Sequence, residues 1–386
     1  MRPTASGMRR LAVFSSALLT VAGKATTVGV IGGGIAGVTA ARHLAQAGVP
    51  VVLHERDGRL GGRLGQLEVD GHLVGAGCSY IKGRHPDFVS QLEAWEAEGL
   101  VAEWSDARPH TITAPGVWVP LPGEAEERWY IGRPHMGSPA QLSDSEQEQI
   151  TVVRSDVFDV NYESGHWILA MQVVSDDDEL LDEAGSLDSF LHGSLIVATG
   201  VSEAADILPR KVLDKALGRG RYKDFVKERV SAVVVFERPT GLPFNFGVLQ
   251  ERGSAVTVAI CATSRAEAGG ERRREEEVWV LQSATGWARA ALDDEMESVT
   301  MGDELLASFA RALGEQCTLP PVRACETVVW PYGDMDYELE GGCAWLDEMQ
   351  LALAGDWAFN GRVEGAWLSG RAAAQRVIAG RAAAAS

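Results

Sequence analysis

Three glycines, Gly32, Gly34 and Gly37, followed eighteen residues later by Glu55, carry the most specific chemistry in this chain. That spacing suits a dinucleotide. Gly32 permits a tight turn, Gly34 lets backbone approach a pyrophosphate, and Gly37 lets a helix pack on a strand. Ile35 and Ala36 open that helix, whose N-terminal amides attract phosphate, and Glu55 can accept hydrogen bonds from a ribose. Other chemistries leave no trace. The eight histidines lie between His43 and His192 without HExxH or HxH spacing, so no metal site is expected. The five cysteines (78, 261, 317, 325 and 343) include no CxxC pair, and they read as free thiols in a reducing compartment. Neither a GxSxG elbow nor a Walker sequence is present.

The elements that must hold these residues follow from hydrophobic pattern. Val28, Val30 and Ile31 read as a buried parallel strand, Ile35 to Ala47 has helical spacing, and Val49 to Leu53 is a second strand ending at His54-Glu55. Beyond this βαβ unit (Thr27 to Glu55), Asp57–Arg63 is a glycine-rich loop. Leu67 to Val74 alternates as short strands, and Phe88 to Leu100 has helical spacing. Ile150–Val153, Val157–Val160, His166–Val174 and Leu195–Gly200 read as strands. So do Ser231–Phe236, Ala255–Cys261 and Val278–Leu281, with one helix at Asp303–Leu313. The expected fold is α/β (α+β overall): a discontinuous Rossmann-like nucleotide domain (27–104, 150–204, 340–380) with an inserted antiparallel-sheet substrate domain (105–149, 205–339). Two charge runs, Asp176–Glu179 and Glu271–Glu277, read as solvated loops.

The whole chain adds bounds. Its 386 residues are 46% hydrophobic and carry a net charge of −19, which repels nucleic acid and anionic membrane surfaces on average. No segment is expected to cross a membrane. Residues 1–26 contain Arg2, Arg9 and Arg10 before an apolar run, Leu11 to Gly23, that is too short for a bilayer. They read as a transit peptide for a plastid or mitochondrion, the alternatives being a secretory segment, or a disordered extension on a cytoplasmic protein.

Three further segments favour FAD over NAD. Gly61-Gly62-Arg63 offers close backbone and a cation just past the second strand. Thr199-Gly200 ends a strand where an adenosine half can be covered. Gly355-Asp356 ends another, where Asp356 can accept from ribityl hydroxyls, and the helix opening at Val363–Gly365 aims its positive end toward the flavin ring. Together these segments resemble the FAD-dependent amine oxidase superfamily, and within it the renalase-like oxidoreductases. The similarity continues through Gly75-Ala76, His85–Phe88, Val233–Glu237, Trp279–Trp287, Val329-Trp330 and Arg362–Gly370. The chain departs from the pattern at Gly77–Lys82, at Leu73-Val74 where an acid is usual, and at Gln282 where a histidine is common. The resemblance implies cofactor contacts from Gly32, Gly34, Ile35, Ala36, Gly37, Glu55 and Arg56. It adds Gly62, Arg63, Gly75, Ala76, Val157 and Thr199, then Gly355, Asp356, Arg362, Val363, Glu364 and Ala366.

Substrate class turns on proton chemistry. Oxidising an amine needs its neutral form, and many members of the superfamily hold a lysine near flavin N5. Here no lysine follows Lys227 and no histidine follows His192. Oxidising a dihydropyridine needs no base, because hydride loss leaves an aromatic pyridinium. Trp330 is the candidate for stacking on such a ring and Gln282 for bonding a carboxamide, although either also fits an ordinary core or cross-strand role. The resulting expectation is a renalase-like FAD oxidase of reduced nicotinamide-type substrates, passing hydride to flavin N5 and electrons to O2 to give H2O2. The alternatives are an amine oxidase or desaturase-like flavoenzyme, and a flavin-binding protein without turnover.

Overall fold

The computed structural model describes residues 26–121, 127–173, 187–219, 227–250, 253–264, 275–330, 339–359 and 361–385. Residues 1–25 of the expected leader, the Asp176–Glu179 run, 271–274 of the second charge run and Pro331 lie outside the described residues. Among the described residues no helix is long and apolar enough to cross a membrane.

Two large sheets carry the fold. In the first, of eight strands, Val51–Glu55, Val28–Ile31, Ser194–Val197 and Leu351–Leu353 run parallel side by side. The start of Ile150–Glu163 joins Val51–Glu55 in parallel, and antiparallel strands finish both edges. Val28–Ile31 is buried throughout, as expected for a strand covered on both faces. Val28, Val30, Ile196 and Ala352 face the helices Ile35–Gln46 and Val363–Ala385. Those helices touch closely at Gly370, where a Cβ would stand 2.0 Å from the Ala36 carbonyl oxygen. Ile31, Leu195, Val197 and Leu353 face the opposite way, toward helices Val201–Ile207 and Arg210–Leu217.

The second sheet has seven strands in the order Val322–Trp330, Arg229–Phe236, Glu277–Ser283, Val256–Cys261, Phe246–Leu249, Pro109–Ala114 and Val117–Pro120. One face is covered by helices Thr285–Asp293 and Ser298–Leu313 around Phe236, Phe244, Trp279 and Phe309. The other looks toward the hairpin strands Leu67–Val69 and His72–Val74 and the loop after them.

Several expectations are corrected. Residues 205–217, assigned to the substrate domain, pack on the nucleotide-side sheet through Ile207, Leu208, Leu213 and Leu217. The inserted sheet is not wholly antiparallel, since Phe246–Leu249 pairs parallel with Pro109–Ala114. Ile150–Glu163 is one continuous strand, and Thr285–Asp293 is a helix that the β-type pattern around it concealed. Nor is the end of the second charge run a solvated loop. Glu276 is sealed between His72 (2.9 Å) and Arg323 (3.5 Å), and Glu277 accepts from Thr240 and the Trp279 indole.

Beneath Glu55, two fully buried histidines form a chain that spans three strands. Ser155 Oγ donates to the Val153 carbonyl, so it accepts from His54 Nδ1–H (3.2 Å). His54 Nε2 then accepts from His192 Nε2–H (3.1 Å), and His192 Nδ1 accepts from the Thr27 hydroxyl (2.8 Å). Each link has one proton only while both rings are neutral. Burial pushes both rings below the ordinary histidine value of 6.5, and for His54 the neighbouring His192 adds to it. The unfolded chain therefore takes up protons first, so this contribution is fully present above pH 6.5 and is lost as pH falls. We expect a loss of about 2 kcal/mol per histidine by pH 5. Urea unfolding at pH 7.5 and pH 5 should show His192→Gln losing less stability on acidification than the parent; equal losses would refute the chain's role.

Candidate functional site

The last strand residues Ile31, Val197 and Leu353 stand level in register, so the loops after them lie side by side at one edge of the sheet. These loops are Gly32–Gly34, Ala198–Gly200 and Ala354–Asp356. A crevice outside the carboxyl ends of parallel strands is where an open α/β sheet binds its ligand. Gly32 takes φ of +100° and donates its N–H to the His54 carbonyl, which fixes the turn. A Cβ on Gly37 would stand 1.9 Å from the Gly32 carbonyl oxygen, the close helix–strand approach expected for that position. Gly34 is different: a Cβ there would meet nothing within 4 Å. It is also the N-cap of Ile35–Gln46, which has no side-chain cap and no acid in its first turn. An open glycine at an uncapped helix N-terminus fits the pyrophosphate of FAD.

The neighbouring loop closes over this start. Gly61 bridges Gly34, its N–H donating to the Gly33 carbonyl, and Gly62 approaches the Gly34 Cα. Arg63 then reaches Asp356, 293 residues away, at 2.5 Å. Burial alone would lower the Arg63 guanidinium, but the charge and hydrogen bond of Asp356 outweigh it and leave it raised. Gly355 is a glycine for a packing reason, since a Cβ would strike the Trp357 indole at 2.3 Å. That indole donates to the Thr199 carbonyl (3.1 Å), joining two of the three loops.

Glu55 Oε2 accepts from Gly33 N–H (2.6 Å) and its Oε1 from Asp57 N–H (2.8 Å). Burial raises its carboxyl above the ordinary value, against the lowering by those two amides. Arg56 points outward to Asp57 and Glu203. Ile35, Ala36 and Ala366 are buried, so what they offer the crevice is backbone. Val157 lies three residues beyond Arg154, the residue level with Glu55, and its side chain packs with Ile31 in the core. Arg362 is exposed and Val363 partly buried at the start of the last helix. Glu364 opens that helix with a buried acid. The residue is 3% exposed, and its Oε1 accepts from the backbone N–H groups of Arg84 and His85.

The structure brings Trp330 and Gln282 together on the Gly75–Tyr80 loop. Trp330 Nε1–H donates to Ser231 Oγ (3.1 Å), Ser231 donates to the Ala76 carbonyl (2.9 Å), and Gln282 Nε2 donates to the Gly77 carbonyl (3.4 Å). Arg229 sits opposite Trp330 in the sheet register and donates to Thr257 Oγ1 (3.3 Å). Tyr80 continues the loop. Burial and the nearby Cys78 raise its phenol, while Arg362 and Arg229 oppose them. It stacks on Trp129 at 4.5 Å, with Phe246 edge-on to both rings. Lys82 lies 3.9 Å from the Trp129 ring centre and 3.0 Å from Glu127, its ammonium lowered chiefly by burial. Sequence reasoning missed Ser231, Tyr80, Lys82 and Arg229. A lone serine and arginine opening a strand of valines were the available signal.

These glycines separate packing from binding. Gly34→Ala should leave the apoprotein's melting temperature within about 2 °C of the parent, because its φ of −66° suits alanine, yet should weaken FAD binding by about tenfold or more. Gly37→Ala should destabilise the apoprotein by about 2–4 kcal/mol through backbone overlap. Thermal melts and flavin titration of both variants check this; equal effects on both readouts would contradict it.

Known proteins point the same way. Residues 35–102 match the family of flavin containing amine oxidoreductases. A pseudooxynicotine dehydrogenase of Pseudomonas sp is 37% identical over 95 residues, covering 23% of this chain and 17% of that protein. A carotenoid 3,4-desaturase of Haloarcula japonica is 51% identical over 53 residues, covering 14% of this chain and 11% of that protein. The chain thus matches less than a fifth of the length of these relatives. Solved structures extend the likeness in fold alone. A protein of Exiguobacterium sp. 255-15, provisionally described as a protoporphyrinogen oxidase, has a TM-score of 0.66 at 10% identity, covering 92% of this chain and 98% of its own. A putrescine oxidase bound to putrescine has a TM-score of 0.60 at 14% identity, covering 92% of this chain and 99% of its own. Residues 35–102 therefore match the flavin containing amine oxidoreductase pattern, the chain as a whole shares the fold of these solved structures, and FAD is its cofactor.

Proposed function

We propose that this protein is an FAD-dependent oxidoreductase whose substrate is a reduced nicotinamide-type nucleotide and whose acceptor is O2. When bound, FAD supplies the hydride acceptor. The substrate loses two electrons and one proton as hydride and becomes an aromatic pyridinium. O2 takes up the two electrons with that proton and one more from solvent to give H2O2. The observation that carries this reading is the row Trp330, Ser231 and Gln282 on the loop beside Arg63, in a chain with no lysine after Lys227 and no histidine after His192. This row can stack, orient and hydrogen-bond a ring, and it holds no base for deprotonating an amine. Arg229, beside Trp330, and Arg362, both within electrostatic reach of Tyr80, suit the phosphates of a nucleotide.

A second reading is an amine oxidase or desaturase-like enzyme. The relatives named as a dehydrogenase and a desaturase, and the putrescine oxidase among the fold neighbours, favour it. One anaerobic experiment separates the two. The 2-, 4- and 6-dihydronicotinamide nucleotides should bleach the flavin, and simple amines should not. Arg229→Met should raise the nucleotide concentration needed by about tenfold while dithionite bleaching is unchanged. Bleaching by amines alone would overturn the proposal.

A further inference from the structure

Glu364 sits in the first turn of the last helix, Val363–Ala385, which follows Asp356 closely in the chain, Gly361 N–H donating to the Asp356 carbonyl. Its Oε1 accepts two backbone hydrogen bonds at once, from Arg84 N–H (2.7 Å) and His85 N–H (2.6 Å). Those amides precede Pro86–Ala97, whose N-cap is His85, so one oxygen ties the beginnings of two helices. The segment it holds runs back through Lys82 and Tyr80 to the loop that Ser231 and Gln282 bind. This acid is therefore a clasp between the cofactor's helix and the substrate-side loop.

Its charge has a second consequence. A helix N-terminus bears roughly half a positive charge, and an acid in the first turn offsets it. With the residue 3% exposed, water screens that offset weakly. We propose that Glu364 is a positioning residue with two separable actions: its oxygen clasps the Gly75–His85 segment to the last helix, and its negative charge opposes the positive helix end, holding the reduction potential of the bound FAD down. The inference rests on FAD lying against this helix start, and it is independent of the substrate's identity.

The geometry supplies variants that divide the two actions. Both amides use the same oxygen, so Glu364→Gln keeps an oxygen for both acceptor contacts and removes the charge. Glu364→Ala removes both. In the holoenzyme, Glu364→Gln should bind sulfite, probed by flavin bleaching, about tenfold more tightly than the parent, because the charge that sulfite addition places on the flavin ring is better stabilised. The two-electron potential should rise in step, by about 30 mV for a tenfold change. In the apoprotein, hydrogen exchange at Arg84 and His85 should stay slow in Glu364→Gln and become at least tenfold faster in Glu364→Ala. Unchanged sulfite affinity and potential in Glu364→Gln would overturn the electrostatic action. Retained protection at Arg84 and His85 in a folded Glu364→Ala would overturn the clasp. A chain that took up no FAD would instead refute the cofactor assignment, which the apoprotein exchange does not require.

Discussion

The ion pair between Arg63 and Asp356 closes the cradle, and the rest of the site is arranged around it. It joins residues 293 positions apart at 2.5 Å, with Asp356 almost wholly buried. Removing Arg63 would leave the buried Asp356 carboxylate without this counter-charge in a poorly solvated place, a larger penalty than the pair's own net contribution. Arg63 follows the glycine loop that bridges Gly34, and Asp356 follows the strand level with Ile31 and Val197. The pair therefore sets the distance between the first and last thirds of the chain.

The sequence reveals the cradle better than it reveals the reasons for its glycines. Strand, turn, helix, strand and acid could be read from Val28 to Glu55 because each element is local and periodic. Gly29 could not. A Cβ there would stand 2.6 Å from the His192 ring, so that glycine makes room for a histidine from another strand. Gly355 likewise yields to Trp357, and Gly370 to the Ala36 backbone. These are tertiary approaches with no trace in spacing. Glu364 was legible as an acid at a helix start, but its partners are backbone amides, which carry no residue identity. Residues 210–217 fall in the stretch read as substrate domain, where no helix is expected, yet they form a helix that packs on the nucleotide-side sheet; a short amphipathic stretch shows which face is buried and not what covers it.

On the substrate side, one sheet face changes character along its width. Val233, Val235, Val278 and Val280 pack dry against Val69, Val74 and Ala76. Next comes the polar row of Ser231, Gln282 and the Trp330 indole, and beyond it the aromatic group of Tyr80, Trp129 and Phe246. The apolar part fixes the sheet to the hairpin, and Trp330 packs against its edge while its indole N–H joins the polar row. Lys82 is already engaged by Glu127 and the Trp129 ring, so its charge is answered within the protein.

The two sheets share a core, Phe246 and Ile260 of the second belonging to the buried cluster of the first. Gly77 lies between them, where a Cβ would stand 2.5 Å from the Arg63 carbonyl oxygen and 3.1 Å from Trp330 Cζ2. One residue without a side chain thus separates the cofactor-side backbone from the ring expected to face substrate. On one side of it, Ala76 is bonded to Ser231, and Gly77 itself accepts from Gln282. On the other, Cys78 donates to the Tyr80 carbonyl, turning the chain toward the aromatic group. Any shift of the seven-stranded sheet must move this loop against Arg63, and through Arg63 against Asp356. Trp330 and Gln282 therefore hold the cofactor-side loop in place whatever they do for a substrate.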